Sequence, residues 1–178
     1  EGLGGLDVDA QYDQTLFALA ALLASSLVYN SPGALDEGAI ASLGLVSRLA
    51  RKIEADEAGG NSDHLPDLWW VLRDFALELA DERGDAITAD EYLDRSLRPQ
   101  RGFEAAVLER NRVRHVLGAF FPKRQCRTLV RPVHDEAKLQ QVDSLSPEEL
   151  RPEFRRNLEE LKDALFAPEH VRDSASVF

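Results

Sequence analysis

Pro66-Asp67-Leu68-Trp69-Trp70-Val71-Leu72-Arg73-Asp74 is the stretch that decides the fold. Leu68 to Leu72 is an unbroken apolar run, so it has no wet face. A strand with one solvated side would alternate apolar and polar residues. This one is therefore read as an internal strand of a parallel sheet, buried on both faces. Pro66 marks its beginning, and the charged pair Arg73-Asp74 stops it abruptly. In open α/β sheets ligands bind outside the carboxyl ends of the strands. Arg73 and Asp74 are thus the first candidates for a site.

The neighbouring segments alternate helix and strand. Upstream, Asp13–Ala24 is rich in Leu and Ala and reads as a buried helix. It runs into a strand over Ser25–Tyr29, ended by a turn at Asn30-Ser31-Pro32-Gly33. Asp36 is placed to cap a helix whose apolar stripe is Ala39, Leu43, Val46, Ala50 and Ile53. An acidic, Gly-rich loop spans Glu54–Asp63. Downstream, Thr88-Ala89-Asp90-Glu91 opens a helix, Phe103–Phe120 forms another, and Cys126–Val130 is a third strand. Ser146-Pro147-Glu148-Glu149 is a capping box with Pro at the first helical position. Pro152 starts the last helix, striped by Phe154, Leu158, Leu161 and Leu165, and a polar, frayed tail follows Pro168. Strands separated by helices of this length give an α/β domain with a largely parallel sheet.

Composition narrows the function class. The chain has 178 residues, 44% of them apolar and 30% charged, which fits one globular domain with a real core. No apolar run approaches the ~20 residues of a membrane helix, so no transmembrane segment is expected. Glu1-Gly2-Leu3-Gly4 has no signal-peptide character. Methionine is absent even from position 1, and the chain is read as a fragment or processed product. One cysteine, Cys126, and four scattered histidines offer neither a disulfide framework nor a zinc site, and the expected setting is cytoplasmic. The net charge is −11, yet Arg95–Arg131 carries ten Lys/Arg against two Asp/Glu. That segment is either a solvated basic helix face or a positive surface for a polyphosphate or acidic partner. Few aromatics interleave its arginines, so nucleic acid is not the expected partner.

Six short segments, in order along nearly the whole chain, resemble the guanylate-binding protein family. Glu1-Gly2-Leu3-Gly4 is similar to the segment that follows the Mg²⁺-linked aspartate of the family. Val28-Tyr29-Asn30-Ser31 with Gly33 is similar to its next strand end, and Leu72-Arg73-Asp74 to its guanine-reading motif. Thr88-x-Asp90-Glu91-Tyr92-Leu93, Phe120-Phe121-Pro122-Lys123-Arg124-x-Cys126 and Arg131-Pro132-Val133-His134 complete the set.

The resemblance implies part of a dynamin-superfamily GTPase domain, a P-loop NTPase-like three-layer sandwich that is incomplete in these residues. It implies a domain over 1–167, with 168–178 as a tail toward a helical domain. It also implies GTP as substrate, Mg²⁺ in the intact domain, and a homodimer through the nucleotide face. No Gly-x-x-x-x-Gly-Lys-[Ser/Thr] motif occurs, and the Mg²⁺-linked aspartate would lie before Glu1, so no metal ligand is expected here.

By the same resemblance Asp74 would accept from N1–H and the exocyclic amine of guanine, a charge-assisted pair that adenine cannot make. The competing role for Asp74 is the cap of a following helix. Arg73 would lay its guanidinium on the base face, against a competing role in a surface ion pair. Glu1, Gly2 and Leu3 would belong to the switch that senses the γ-phosphate, with Glu1 ordering the water network. Arg131 and Pro132 would belong to the loop that caps the base, or else to a polar surface loop. Cys126 reads as a buried structural thiol, and Trp69 and Trp70 as core. Besides the GTPase reading stand a non-catalytic interaction module derived from such a domain and a basic nucleic-acid binder.

Overall fold

A computed structural model describes residues 16–17, 19–20, 23–44 and 66–167. Glu1, Gly2, Leu3, the loop Glu54–Asp63, the stripe positions Val46, Ala50 and Ile53, and the tail after Pro168 lie outside the described residues. The ordered elements are strands β1 (Ser26–Pro32), β2 (Asp67–Arg73) and β3 (Arg124–Leu129) and helices α1 (Ala89–Ser96), α2 (Ala105–Phe120), α3 (Glu136–Leu139) and α4 (Pro152–Leu165). Residues 37–44 are also helical, as are the described positions between 16 and 23.

The sheet order is β1-β2-β3. The Asp67 amide donates to Ser25 O at the start of β1 and β2, and the Gly33 amide donates to Arg73 O at their ends. Leu68 N–H to Lys123 O and Phe75 N–H to Leu129 O tie β2 and β3 in the same sense. All three strands are therefore parallel, with β2 between the other two. Its residues Leu68 to Leu72 are all buried, as their unbroken apolar run requires.

Two compact units divide the chain. One contains Val28–Ala34, Trp69–Leu93 and the residues from Gln125 onward. In it Trp69, Val71 and Leu129 pack with Leu161 of α4, and Phe154, Ala164 and Leu165 join them. These positions repeat at helical spacing, which is why α4 lies along one sheet face. Trp70 points the other way, and its indole N–H donates to Ser31 Oγ at 2.9 Å while Tyr29 meets its ring edge-on. Those contacts explain why β1 runs on through Asn30-Ser31-Pro32, where the sequence signalled a turn. The turn comes one residue later, at Gly33, whose φ of 68° suits glycine. Asp90, at the start of α1, accepts the Cys126 amide at 2.6 Å and an Arg127 guanidinium, fixing the helix to β3. Thr88 and Glu91 close a reciprocal capping box ahead of it. The Ser146 box forms as well, but it opens only a single 3₁₀ turn, Pro147–Glu149, because the chain must straighten before Pro152 begins α4.

The other unit contains Leu35–Leu68, Asp94–Arg124 and the residues before Val28. Asp36 caps its helix over 37–44 through the Ala39 amide at 2.7 Å. A β-carbon on Gly44 would stand 2.3 Å from Val113 Cγ1, so glycine lets this helix approach α2. Helix α2 starts at Ala105, two residues after the expected Phe103, which is almost wholly exposed. The buried charge of this unit is Arg114, 4% exposed, whose fork grips both carboxylate oxygens of Glu37 while Nε donates to Ser96 O. Gln100 also donates to Glu37, and its backbone is held at both polar groups by the Asn111 amide.

The hydrogen bond from Arg114 is the main reason the Glu37 carboxyl sits below its ordinary value of 4.5. Its contribution to stability is therefore complete above that value and is lost as pH falls through the lower, folded value. Glu37 is itself 43% exposed, so water screens the pair and limits its strength. Glu37→Gln should cost about 1–2 kcal/mol at neutral pH, and the gap from the parent should close as pH drops below 4.5. Denaturant melts of both proteins over that range check this; a pH-independent gap would contradict it. A second expectation concerns Cys126, which is fully buried and whose thiol is pushed up to about 12 by burial, with the Asp90 charge adding. It should resist a maleimide in the native protein and react at once in denaturant; fast native labelling would contradict the burial.

Candidate functional site

The carboxyl ends of β2 and β3 meet where Phe75 N–H donates to Leu129 O. Between them the chain leaves β2 through Asp74, whose φ of 54° is left-handed. Aspartate tolerates this backbone better than most residues, and the bend carries its side chain off the line of the strand. Asp74 is exposed. Residues 75–79 form no helix, and the Asp74 carboxylate accepts no hydrogen bond among the described residues. The capping role that competes for this residue is thus absent, and among the described residues the charge is left available.

A cleft of about 570 Å³ opens beside it, within the range of small-molecule sites. Asp74 and Phe75 line one part, Thr128 and Arg131 another, and Arg151 and Asn157 a third. Apolar side chains such as Phe75, Leu77, Leu79 and Val130 share the lining with these polar groups, a mixture able to orient a ligand through hydrogen bonds. Arg73, the last residue of β2, and Pro132 are not among the lining residues. The Arg73 Nε donates to Asn30 Oδ1 at 2.7 Å, so among the described residues its guanidinium is oriented by a neutral amide rather than by an ion pair.

Beyond β3 the chain makes a long loop. Arg131 pairs with Glu136, Asp135 caps α3 through the Ala137 amide, and Lys138 reaches Glu149 at 3.1 Å. Val133 is the one fully buried side chain of residues 133–150. The loop closes where the Arg151 amide donates to Pro132 O at 2.8 Å, with Arg151 Nη1 3.4 Å from Arg131 O. The structure therefore brings Asp74 and Arg131 to one cleft and sets Arg73 and Pro132 beside it. Glu1, Gly2 and Leu3 lie outside the described residues. Sequence reasoning missed Asn30, Arg151 and Asn157. Asn30 lay within a matched motif, but Arg151 and Asn157 are marked by neither spacing nor periodicity, because closure of the loop brings in Arg151 and the packing of α4 on the sheet brings in Asn157. No group of three His, Cys, Asp or Glu residues that could hold a metal ion stands together among the described residues. No described helix is long and apolar enough to cross a membrane.

Comparison with known proteins gives this geometry a context. The family described as guanylate-binding protein, N-terminal domain, matches residues 1–174. Human guanylate-binding protein 5 is 37% identical over 94% of this chain and 30% of its own length. Human guanylate-binding protein 1 is 36% identical over the same shares, and mouse guanylate-binding protein 6 is 35% identical over 87% of this chain and 27% of its own. The chain thus spans about 30% of the length of these curated relatives. A match over nearly all of the chain, at this identity and with the parallel sheet in place, settles the family: the chain belongs to the guanylate-binding proteins, within their N-terminal domain.

Proposed function

We propose that this chain supplies guanine recognition and part of the γ-phosphate switch to a GTP-hydrolysing domain. The observation that carries the reading is the Asp74 carboxylate, held by a left-handed backbone at the carboxyl end of the central strand, without a hydrogen bond among the described residues and lining the cleft. Its two oxygens match the two adjacent donors on the Watson–Crick edge of guanine. Arg73, oriented by Asn30, keeps its terminal amino groups for the base face or the ribose, and Arg131 with Pro132 borders the same space. In this reading residues 1–167 are the C-terminal part of a P-loop NTPase-like three-layer sandwich, incomplete without its N-terminal strands and phosphate loop, with 168–178 leading toward a further domain. Glu1, Gly2 and Leu3 then belong to the switch, with Glu1 ordering the attacking water. Mg²⁺ is held by residues outside this chain, and two copies associate through their nucleotide faces in the full-length protein.

Phosphoryl transfer depends on a phosphate-binding loop, its lysine and Mg²⁺, and these 178 residues contain no such motif. A polypeptide of these residues alone, with Mg²⁺ at neutral pH, should show no GTP turnover above background in a phosphate-release assay. Clear hydrolysis by a pure preparation would overturn this division of labour.

The base-reading role is tested in the full-length protein with Asp74→Asn. The amide replaces one acceptor oxygen by a donor, which opposes the guanine 2-amino group. A charged hydrogen bond contributes roughly 1.5–3 kcal/mol, so GTP affinity should fall by about 10²-fold. Xanthine has an oxygen at that position, so affinity for xanthosine triphosphate should rise. Titrating both nucleotides on parent and variant, with melts to check folding, decides the matter. Unchanged GTP affinity, or equal loss for both, would remove Asp74 from the base site.

A further inference from the structure

An exposed carboxylate discriminates poorly. When a ligand lacks one donor, water takes the vacant place and most of the lost interaction is recovered. Asp74 is exposed, so reading guanine sharply requires a wall that keeps water from the base edge. The candidate wall is the segment of Arg131 and Pro132, since Arg131 lines the same cleft as Asp74.

That segment has little to hold it on its own. Arg131 is 44% exposed at its side chain, and its ion partner Glu136 is 72% exposed and belongs to the same loop. An exposed pair of this kind contributes little rigidity. The anchors are Val133 in the core and a single residue across the loop, Arg151. Its amide donates to Pro132 O at 2.8 Å, and its guanidinium Nη1 lies within hydrogen-bonding distance of Arg131 O. Arg151 immediately precedes Pro152, the first residue of α4, and α4 is packed on the sheet through Leu161, Phe154 and Leu165. Its side chain is only 24% exposed and also lines the cleft, with Glu153 3.6 Å from Nε. Two consecutive carbonyls are thereby tied to the first turn of a helix packed on the sheet.

We propose that Arg151 is a positioning residue of the base cleft: by donating to the carbonyls of Arg131 and Pro132 it holds their segment as the wall that shields the edge read by Asp74. This rests on the guanine-reading role given to Asp74. The backbone bond survives any side-chain change, so the guanidinium contributes by restricting the wall rather than by creating it.

The test uses the full-length protein and two nucleotides, GTP and inosine triphosphate, which differ only in the 2-amino group. Arg151→Ala should reduce the ratio of their affinities by about fivefold, less than the loss of a whole charged hydrogen bond. Amide hydrogen exchange over residues 131–136 should accelerate in the nucleotide-free protein. Arg151→Lys, which keeps a donor able to reach Arg131 O, should recover part of both effects. Asp74→Asn is run beside them. If Asp74→Asn shifts the ratio and Arg151→Ala does not, the positioning role is overturned and base reading stands. If neither shifts it, the cleft does not read the 2-amino group, and both ideas fall. A purely structural role would lower the melting temperature and weaken both nucleotides alike, and that outcome also overturns the proposal.

Discussion

Burial of β2 on both faces is the constraint from which the rest follows. Trp69 and Trp70 point to opposite sides, so each face must be covered by something apolar. On one side α4 supplies Leu161, Phe154 and Leu165, and the sequence of α4 is striped for that task. On the other, the indole of Trp70 brings a buried N–H that needs an acceptor, and Ser31 provides it from β1. A strand fixed so firmly dictates where its end lies. The left-handed turn at Asp74 costs on the order of 1–2 kcal/mol, whereas one buried indole contributes roughly 4–5 kcal/mol by area. The core therefore holds the bend, and an otherwise unfavourable backbone becomes a fixed mount for a carboxylate.

The site inherits its geometry from this arrangement. Asp74 is placed by the end of the central strand, Arg73 by Asn30 of the neighbouring strand, and Arg131 by the segment that leaves β3. None of these placements needs a ligand to form. What varies is the quality of support, strong beneath Asp74 and weaker beneath Arg131. A ligand of this cleft would therefore meet one side ready-made and the other held mainly through α4.

Much of the sheet was legible because β2 announces itself. Five apolar residues in a row, bounded by proline and a charged pair, have few alternatives. The capping signals at Asp36, Thr88 and Ser146 were also legible, since each is a local reaction between a side chain and a nearby amide. Their consequences were less so: the Ser146 box leads only to a 3₁₀ turn, because Pro152 lies too close for a helix between them. The end of β1 was misjudged, since Asn30-Ser31-Pro32 carries turn residues whose side chains are occupied by Trp70 and Arg73, more than thirty-five residues away in sequence. Asp74 was marked by the end of the apolar run and Arg131 by a family motif; Arg151 was marked by neither, because its role depends on closure of a loop that no periodicity encodes.

The loop from 133 to 150 has a different energetic character from the sheet it adjoins. Apart from Val133 its side chains lie at or near the surface, and its internal ties are charge pairs and caps. Apolar burial is not screened by added salt, but exposed ion pairs are screened within a Debye length of about 8 Å under physiological conditions. Ionic strength therefore acts on this segment selectively. Raising it loosens the loop while leaving the sheet and α4 intact, so the protein holds two stabilities that respond to different variables. Local opening of such a segment can occur far more often than global unfolding, and its frequency would be set by the ionic medium rather than by the core.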